Sequence, residues 1–145
     1  MDINPTPEQE LLLAIAAAWA RLERRLDTTL SNIKGITFTE YRMLRYIAAS
    51  PAGAASRVEV AEALGRTPSG ITRALRPLEK LGFVETHKSE RDARLALASL
   101  TAQGQELVDD ATGVINDLSE QIADRAPRAR AGGDELVAML RELAS

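Results

Sequence analysis

Ser69, Thr72 and Arg73 lie in the N-terminal half of one short segment, T-P-S-G-I-T-R-A-L-R-P-L-E-K-L-G, residues 67–82, and Arg76 just beyond it. Short hydroxyls and guanidiniums at helical spacing are the chemistry of contacts to phosphates and base edges, where an arginine donates two parallel N–H bonds to a guanine. Thr67 and Gly70 belong to the start of the same segment, and Arg57 opens the one before it. A second polar set follows at His87, Lys88, Arg91, Asp92 and Arg94, in a run (H-K-S-E-R-D-A-R) too hydrophilic to pack. Together these residues form a candidate DNA-binding set.

The elements that must position them are legible around them. Thr67 is placed to cap a helix and Pro68 suits its first position, where a missing N–H goes unnoticed. Ile71, Leu75 and Leu78 recur at i, i+4, i+7 as a buried stripe, leaving Ser69, Thr72, Arg73 and Arg76 off it. Gly82 ends the helix, and Pro77 is expected to kink it by denying a donor to the Arg73 carbonyl. The preceding segment starts on a capping box, Ser56 with Glu59, buries Val60, Ala61 and Leu64, and closes at Gly65. Phe83 and Val84 begin a strand, Leu95, Leu97 and Leu100 belong to a returning one, and the polar run is the tip between them. Two helices, a tight Gly-containing turn and a β-wing are a device for laying the second helix in a major groove.

Charge agrees with that device only locally. The 145-residue chain carries net −3, yet residues 66–94 hold seven cations (Arg66, Arg73, Arg76, Lys80, Lys88, Arg91, Arg94) against Glu79, Glu85, Glu90 and Asp92, a local +3. A basic face on an acidic body still docks phosphate, and the acidic remainder limits indiscriminate sticking. The 45% hydrophobic and 27% charged composition is that of an ordinary single globular domain. No apolar run approaches the ~20 residues of a membrane span. The L-L-L-A-I-A-A-A-W-A stretch lacks a basic leader, so a cytoplasmic protein with no membrane partner is expected. With no cysteine and one histidine, disulfides, thiolate zinc sites and multi-histidine metal sites are excluded. No phosphate loop, nucleophile elbow or paired catalytic constellation appears, so the expectation is a non-enzyme without cofactor or metal.

The flanks read as long helices. Thr6 to Gln9 is a capping box with Pro7 at the first helical position. Leu12, Ile15, Trp19, Leu22, Leu26, Leu30 and Ile33 then recur every three or four residues. Thr101 caps a second long helix with Leu118 and Ile122 on its apolar side. The stretch 126–133 interrupts it, and a final helix follows with Leu136, Leu140 and Leu143 on one side. A seam of this length asks for a partner helix. The expected dimerisation set is Leu12, Ile15, Trp19, Leu22, Leu118, Ile122, Leu136 and Leu140. A monomer is the alternative, because a chain of this size buries about 68–70% of its unfolded surface unaided.

The run D-A-R-L-A-L-A-S-L-T-A-Q-G resembles the wing signature of the MarR family: Asp-x-Arg, an apolar strand, Leu-Thr, and a Gly three residues on. Asp92, Arg94, Leu100, Thr101 and Gly104 match it. Upstream, I-T-R-A-L-R-P-L-E-K-L-G-F-V resembles the family's recognition helix and its run into the wing. The helix order fits on both sides, so the resemblance covers nearly the whole chain. It implies a mainly α fold: a winged helix–turn–helix lobe over 37–100 with a two-stranded wing, and terminal helices over 1–35 and 101–145 forming a dimerisation bundle. It further implies that Arg94 reaches DNA from the wing, with Asp92 orienting a nearby arginine. Two departures stand out. Thr86 occupies a position where the family often has Arg, leaving His87 or Lys88 to take that phosphate contact, and Ala93 lies where another Arg is common.

By that resemblance the expected function is sequence-specific binding of double-stranded DNA by a homodimeric regulator, more readily a repressor. Its recognition helices, about 34 Å apart, would read a pseudo-palindromic operator. Relatives often take small aromatic or anionic effectors between the two lobes, and Trp19, Phe38, Tyr41 and Arg45 are the candidate lining here. Aromatics at this spacing equally well fill a core. A winged helix used only as a protein-interaction module is the alternative function, with Arg73, Arg76 and Arg94 as plain surface charges.

Overall fold

The computed structural model describes residues 3–145; Met1 and Asp2, at the start of the expected 1–35 segment, lie outside the described residues. Helix α1 (Pro7–Lys34) begins where the capping box places it: Gln9 N–H donates to Thr6 Oγ1 and Thr6 N–H to Gln9 Oε1. It ends on Gly35 in the left-handed conformation, φ 70°. Helix α2 (Phe38–Ala49) starts on the reciprocal Thr37–Glu40 box and supplies the centre of the core with Tyr41, Met43, Leu44 and Ile47. A 3₁₀ turn at Pro51–Gly53 leads into strand β1 (Ala54–Ser56).

Helix α3 (Arg57–Leu64) is capped by Ser56 with Glu59 and closes on left-handed Gly65. Helix α4 (Pro68–Lys80) follows after a two-residue link and cap, with Thr67 Oγ1 accepting the Gly70 N–H. Its Ile71, Leu75 and Leu78 stripe is buried against the core. The helix runs through Pro77 to Lys80 without a break, and Gly82 (φ 82°) turns the chain into the wing.

Strands β2 (Val84–Lys88) and β3 (Ala96–Leu100) form the antiparallel wing, in register Val84 opposite Leu100 through Lys88 opposite Ala96. The sheet has three strands, not the two expected of the wing alone, in the order β1-β3-β2. Ala54–Ser56 pairs with Ser99–Leu97. Three small residues carry no alternation to announce a strand; the pairing is supplied by β3.

Helix α5 (Ala102–Asp124) is fastened to the wing base at its first turn. Thr101 Oγ1 accepts the Gly104 N–H and donates to the Gly82 carbonyl at 2.6 Å, while Thr101 N–H donates to the Phe83 carbonyl. Gly104 is buried, and a Cβ there would collide with the Phe83 carbonyl. The Leu-Thr-x-x-Gly pattern is thus a docking joint between wing and helix. Residues 126–133, expected to be only an interruption, contain a short helix, α6 (Pro127–Ala131), with Pro127 at its first position. Helix α7 (Gly133–Leu143) follows and buries none of its residues. The fold is therefore mainly helical with a small winged sheet, and its core lies where α2, α3, α4 and the sheet meet α5.

Candidate nucleic-acid interface

Burying Ile71, Leu75 and Leu78 turns the opposite face of α4 to solvent. Ser69, Arg73, Arg76 and Lys80 stand there, at i, i+4, i+7 and i+11. Among the described residues the side chains of Arg73 and Arg76 have no hydrogen-bond or ion-pair partner, although acidic residues are plentiful in the chain. Thr67 is occupied as the cap, with Ser69 Oγ 3.4 Å away. Gly70 lets that cap close, since a Cβ would stand 3.0 Å from Thr67 Oγ1. Thr72 is half-buried and its hydroxyl donates back to the Pro68 carbonyl at 3.1 Å, leaving only acceptor capacity for a ligand. Arg66, in the turn, donates to Thr39 Oγ1 at 3.2 Å and so ties the turn to α2.

The wing tip is a compact polar loop. Ser89 Oγ accepts the N–H groups of Arg91 and Asp92, and Ser89 N–H donates to the Leu95 carbonyl. Asp92 Oδ1 accepts both Arg94 N–H (3.0 Å) and Arg94 Nε–H (3.2 Å). The Arg94 backbone N–H first, and its guanidinium second, hold the Asp92 carboxyl below its ordinary value of 3.8. The arginine that Asp92 orients is therefore Arg94 itself, whose side chain is 91% exposed. His87, Lys88 and Arg91 are exposed along the same wing.

Arg57 sits differently from the other cations. Its Nη2 donates to Glu79 Oε1 at 3.0 Å and to Thr86 Oγ1 at 3.3 Å, and its side chain is 21% exposed. Neither partner carries a local sequence signal, since they lie 22 and 29 positions away.

The effector candidates divide between two hollows. Phe38, Tyr41 and Arg45 line one of about 560 Å³ between α2, α3 and α5, together with Arg42, Tyr46, Thr112 and Asn116. Trp19 lines a neighbouring one of about 500 Å³ with Leu22, Ile122 and Arg130; Phe38 and Ile115 form the wall common to both. The three rings make a chain, Trp19 to Phe38 at 5.8 Å and Phe38 to Tyr41 at 5.9 Å between centroids. Tyr41 is buried and its hydroxyl pairs with Thr112 Oγ1 at 3.0 Å, so it is core as much as lining. Arg42, Thr112 and Asn116 were not legible as lining, because only the packing of α5 on α2 brings them there.

Of the expected dimerisation residues, Leu12 (61%), Trp19, Leu136 and Leu140 are exposed, and Ile15, Leu22 and Ile122 are half-buried. Leu118 is the exception: it is 5% exposed and already packed within the chain, so it is not free to meet a partner. Leu11, Leu13, Val137, Met139 and Leu143 join the exposed apolar surface instead.

Among the described residues no cluster of His, Asp or Glu has metal-binding geometry, and no helix is long and apolar enough to cross a membrane. A profile of the MarR family matches residues 34–95, which run from α2 through α3 and α4 to the first wing strand and the tip, and stop short of β3. Among solved structures, the chain is similar to Sco3205, a MarR family transcriptional regulator from Streptomyces coelicolor in complex with DNA. Identity is 26% over 99% of this chain and 92% of that one, with a TM-score of 0.80. A MarR/EmrR family transcriptional regulator from Acinetobacter sp. ADP1 superposes with a TM-score of 0.83 at 21% identity, over 97% and 96% of the two chains. A point mutant of E. coli MarR complexed with operator DNA gives 0.79 at 23% identity, over 94% of each. Comparison with curated proteins finds no sequence match.

Proposed function

We propose that the chain is a winged helix–turn–helix transcriptional regulator of the MarR family, whose profile its residues 34–95 match, and that it binds a pseudo-palindromic operator as a homodimer and represses from it. The observation that carries the proposal is the outer face of α4, where Ser69, Arg73, Arg76 and Lys80 form an exposed stripe and both arginines lack a protein partner. Exposed guanidiniums left unpaired on a helix are available to phosphate oxygens and guanine edges. Arg94, aimed outward by Asp92, is the wing's contact, with His87, Lys88 and Arg91 adding phosphate contacts along it.

The exposed apolar surface of α1 and α7 supports the homodimer. Leu12, Trp19, Leu136 and Leu140 cost solvation in an isolated protomer, and a two-fold partner removes that cost. The hollow lined by Phe38, Tyr41 and Arg45 lies between α2, α3 and α5. A small aromatic or anionic effector seated there would relieve repression only by its differential affinity for one arrangement of the lobes. That the regulators from Streptomyces coelicolor and E. coli are seen with DNA supports the DNA reading.

The test is selection from random genomic fragments by the purified protein at two salt concentrations, followed by sequencing of the retained DNA. Enrichment of a pseudo-palindrome with half-sites about one helical turn apart is expected. Retention without sequence preference would favour the interaction-module function.

A further inference from the structure

The structure assigns Arg57, Glu79 and Thr86 to a clamp that fixes the wing against the recognition helix, which makes Arg57 a positioning residue and not a phosphate contact. Arg57 is the first residue of α3, Glu79 lies in the last turn of α4, and Thr86 is midway along β2. Their side chains close a triangle. Arg57 Nη2 donates to Glu79 Oε1 at 3.0 Å and to Thr86 Oγ1 at 3.3 Å, and Thr86 Oγ1 donates to Glu79 Oε1 at 2.6 Å. The threonine hydroxyl is thus used as donor and acceptor at once, and a single carboxylate oxygen receives both partners.

β2 has need of such a tie. Val84 is its only buried residue; Glu85 through Lys88 are all exposed, so apolar packing holds the strand only at its first position. Thr86 stands opposite Ala98, the buried residue of β3, which is the level at which the wing leaves the body of the lobe. Beyond it, His87 and Lys88 run out to the tip that carries Arg94. A hydroxyl at position 86 therefore anchors the base of the lever whose end presents Arg94. An arginine at that position could not have closed the same triangle, because a second guanidinium has no acceptor for the first.

The side chains of Arg57 and Glu79 are 21% and 31% exposed, so the pair is partly withdrawn from water and its charges are matched. Arg57 Nη2 is engaged by Glu79 and Thr86 together, so the Arg57 charge is already matched inside the protein. Arg73 and Arg76, by contrast, have no such partner among the described residues. The consequence for DNA rests on the operator-binding function proposed above; the mechanical consequence for the wing does not.

The test combines amide hydrogen exchange on the free protein with operator affinity measured across a salt series, for Arg57→Ala, Thr86→Val and Thr86→Ser. Arg57→Ala and Thr86→Val are expected to speed exchange at Glu85–Lys88 by about fivefold or more, the effect of losing one net hydrogen bond. Thr86→Ser, which keeps the hydroxyl, restores the native rate. On DNA both disruptive variants lose affinity several-fold while the slope of log K against log salt stays as in the unaltered protein. Native exchange rates in both variants would overturn the clamp, and so would a slope reduced by about one unit in Arg57→Ala, the mark of a lost phosphate contact. Should Arg57→Ala fail to fold, Thr86→Val, conservative on an exposed strand, carries both readouts. If the unaltered protein binds no DNA, the operator function fails and the exchange rates still decide the clamp.

Discussion

Arg73 and Arg94 present the same cation from two mechanical settings. Arg73 projects from a capped helix whose opposite face is buried, and Arg94 projects from a loop where only Asp92 steadies it. With the proposed bidentate contact to a guanine from the rigid helix, Arg73→Ala is expected to cost about 1–3 kcal/mol of operator affinity and relax selection at one base pair. Fluorescence anisotropy on the operator and its single-base variants checks this; unchanged affinity would remove Arg73 from the reading surface. Arg94→Ala is expected to weaken binding evenly across sequences and flatten the salt slope by about one unit. Asp92, because its carboxyl is held below 3.8, keeps its pairing with Arg94 throughout the neutral range. The pairing is complete above that ordinary value and is lost only as pH falls through the lower, folded-state one. An NMR titration of the Asp92 carboxyl carbon should have its midpoint below 3.8; a midpoint at or above it contradicts the pairing.

At the scale of elements, what was legible in the sequence was whatever is decided within one turn of chain. Thr6, Thr37, Ser56, Thr67 and Thr101 all cap the helices they precede, since a cap requires only an acceptor and an N–H three residues on. The same locality made the α4 stripe readable from Ile71, Leu75 and Leu78. What was illegible is set by distant chain. Ala54–Ser56 is a strand only because Leu97–Ser99 pairs with it, and Arg57 is sequestered only because Glu79 and Thr86 fold back beside it. Leu118 looked like seam from its spacing and is core by packing. The joint of wing and α5 yields a prediction of its own. Gly104→Ala forces a methyl against the Phe83 carbonyl and should destabilise the fold by about 1–3 kcal/mol, read as a lowered thermal midpoint. A midpoint equal to that of the unaltered protein would mean that α5 can shift without penalty.

For the whole molecule, the contrast between the two ends of α1 is what the proposed assembly rests on. Leu26 and Leu30 are buried within the chain, while Leu11, Leu12 and Leu13 stand in solvent three to five turns earlier in a helix of 28 residues. Helix α7, with no buried residue, faces the same difficulty. The proposed homodimer would cover both, and because Leu12 is already exposed, Leu12→Asp should leave the fold intact and release protomers. Sedimentation of a folded monomer is the expected outcome; a persistent dimer would place the interface elsewhere. In the proposed dimer, two-fold symmetry would convert the α4 stripe into a paired reading surface, and an acidic body with a basic lobe would dock DNA in one orientation.

The most direct measurement is the salt dependence of binding to the selected operator, for the unaltered protein and for Arg73→Ala with Arg76→Ala. The structure predicts a steep fall of log K with log salt, and a double variant that loses both most of its affinity and about one to two units of slope. A shallow slope, or a double variant that binds as the unaltered protein does, would contradict the assignment of the outer face of α4 to DNA.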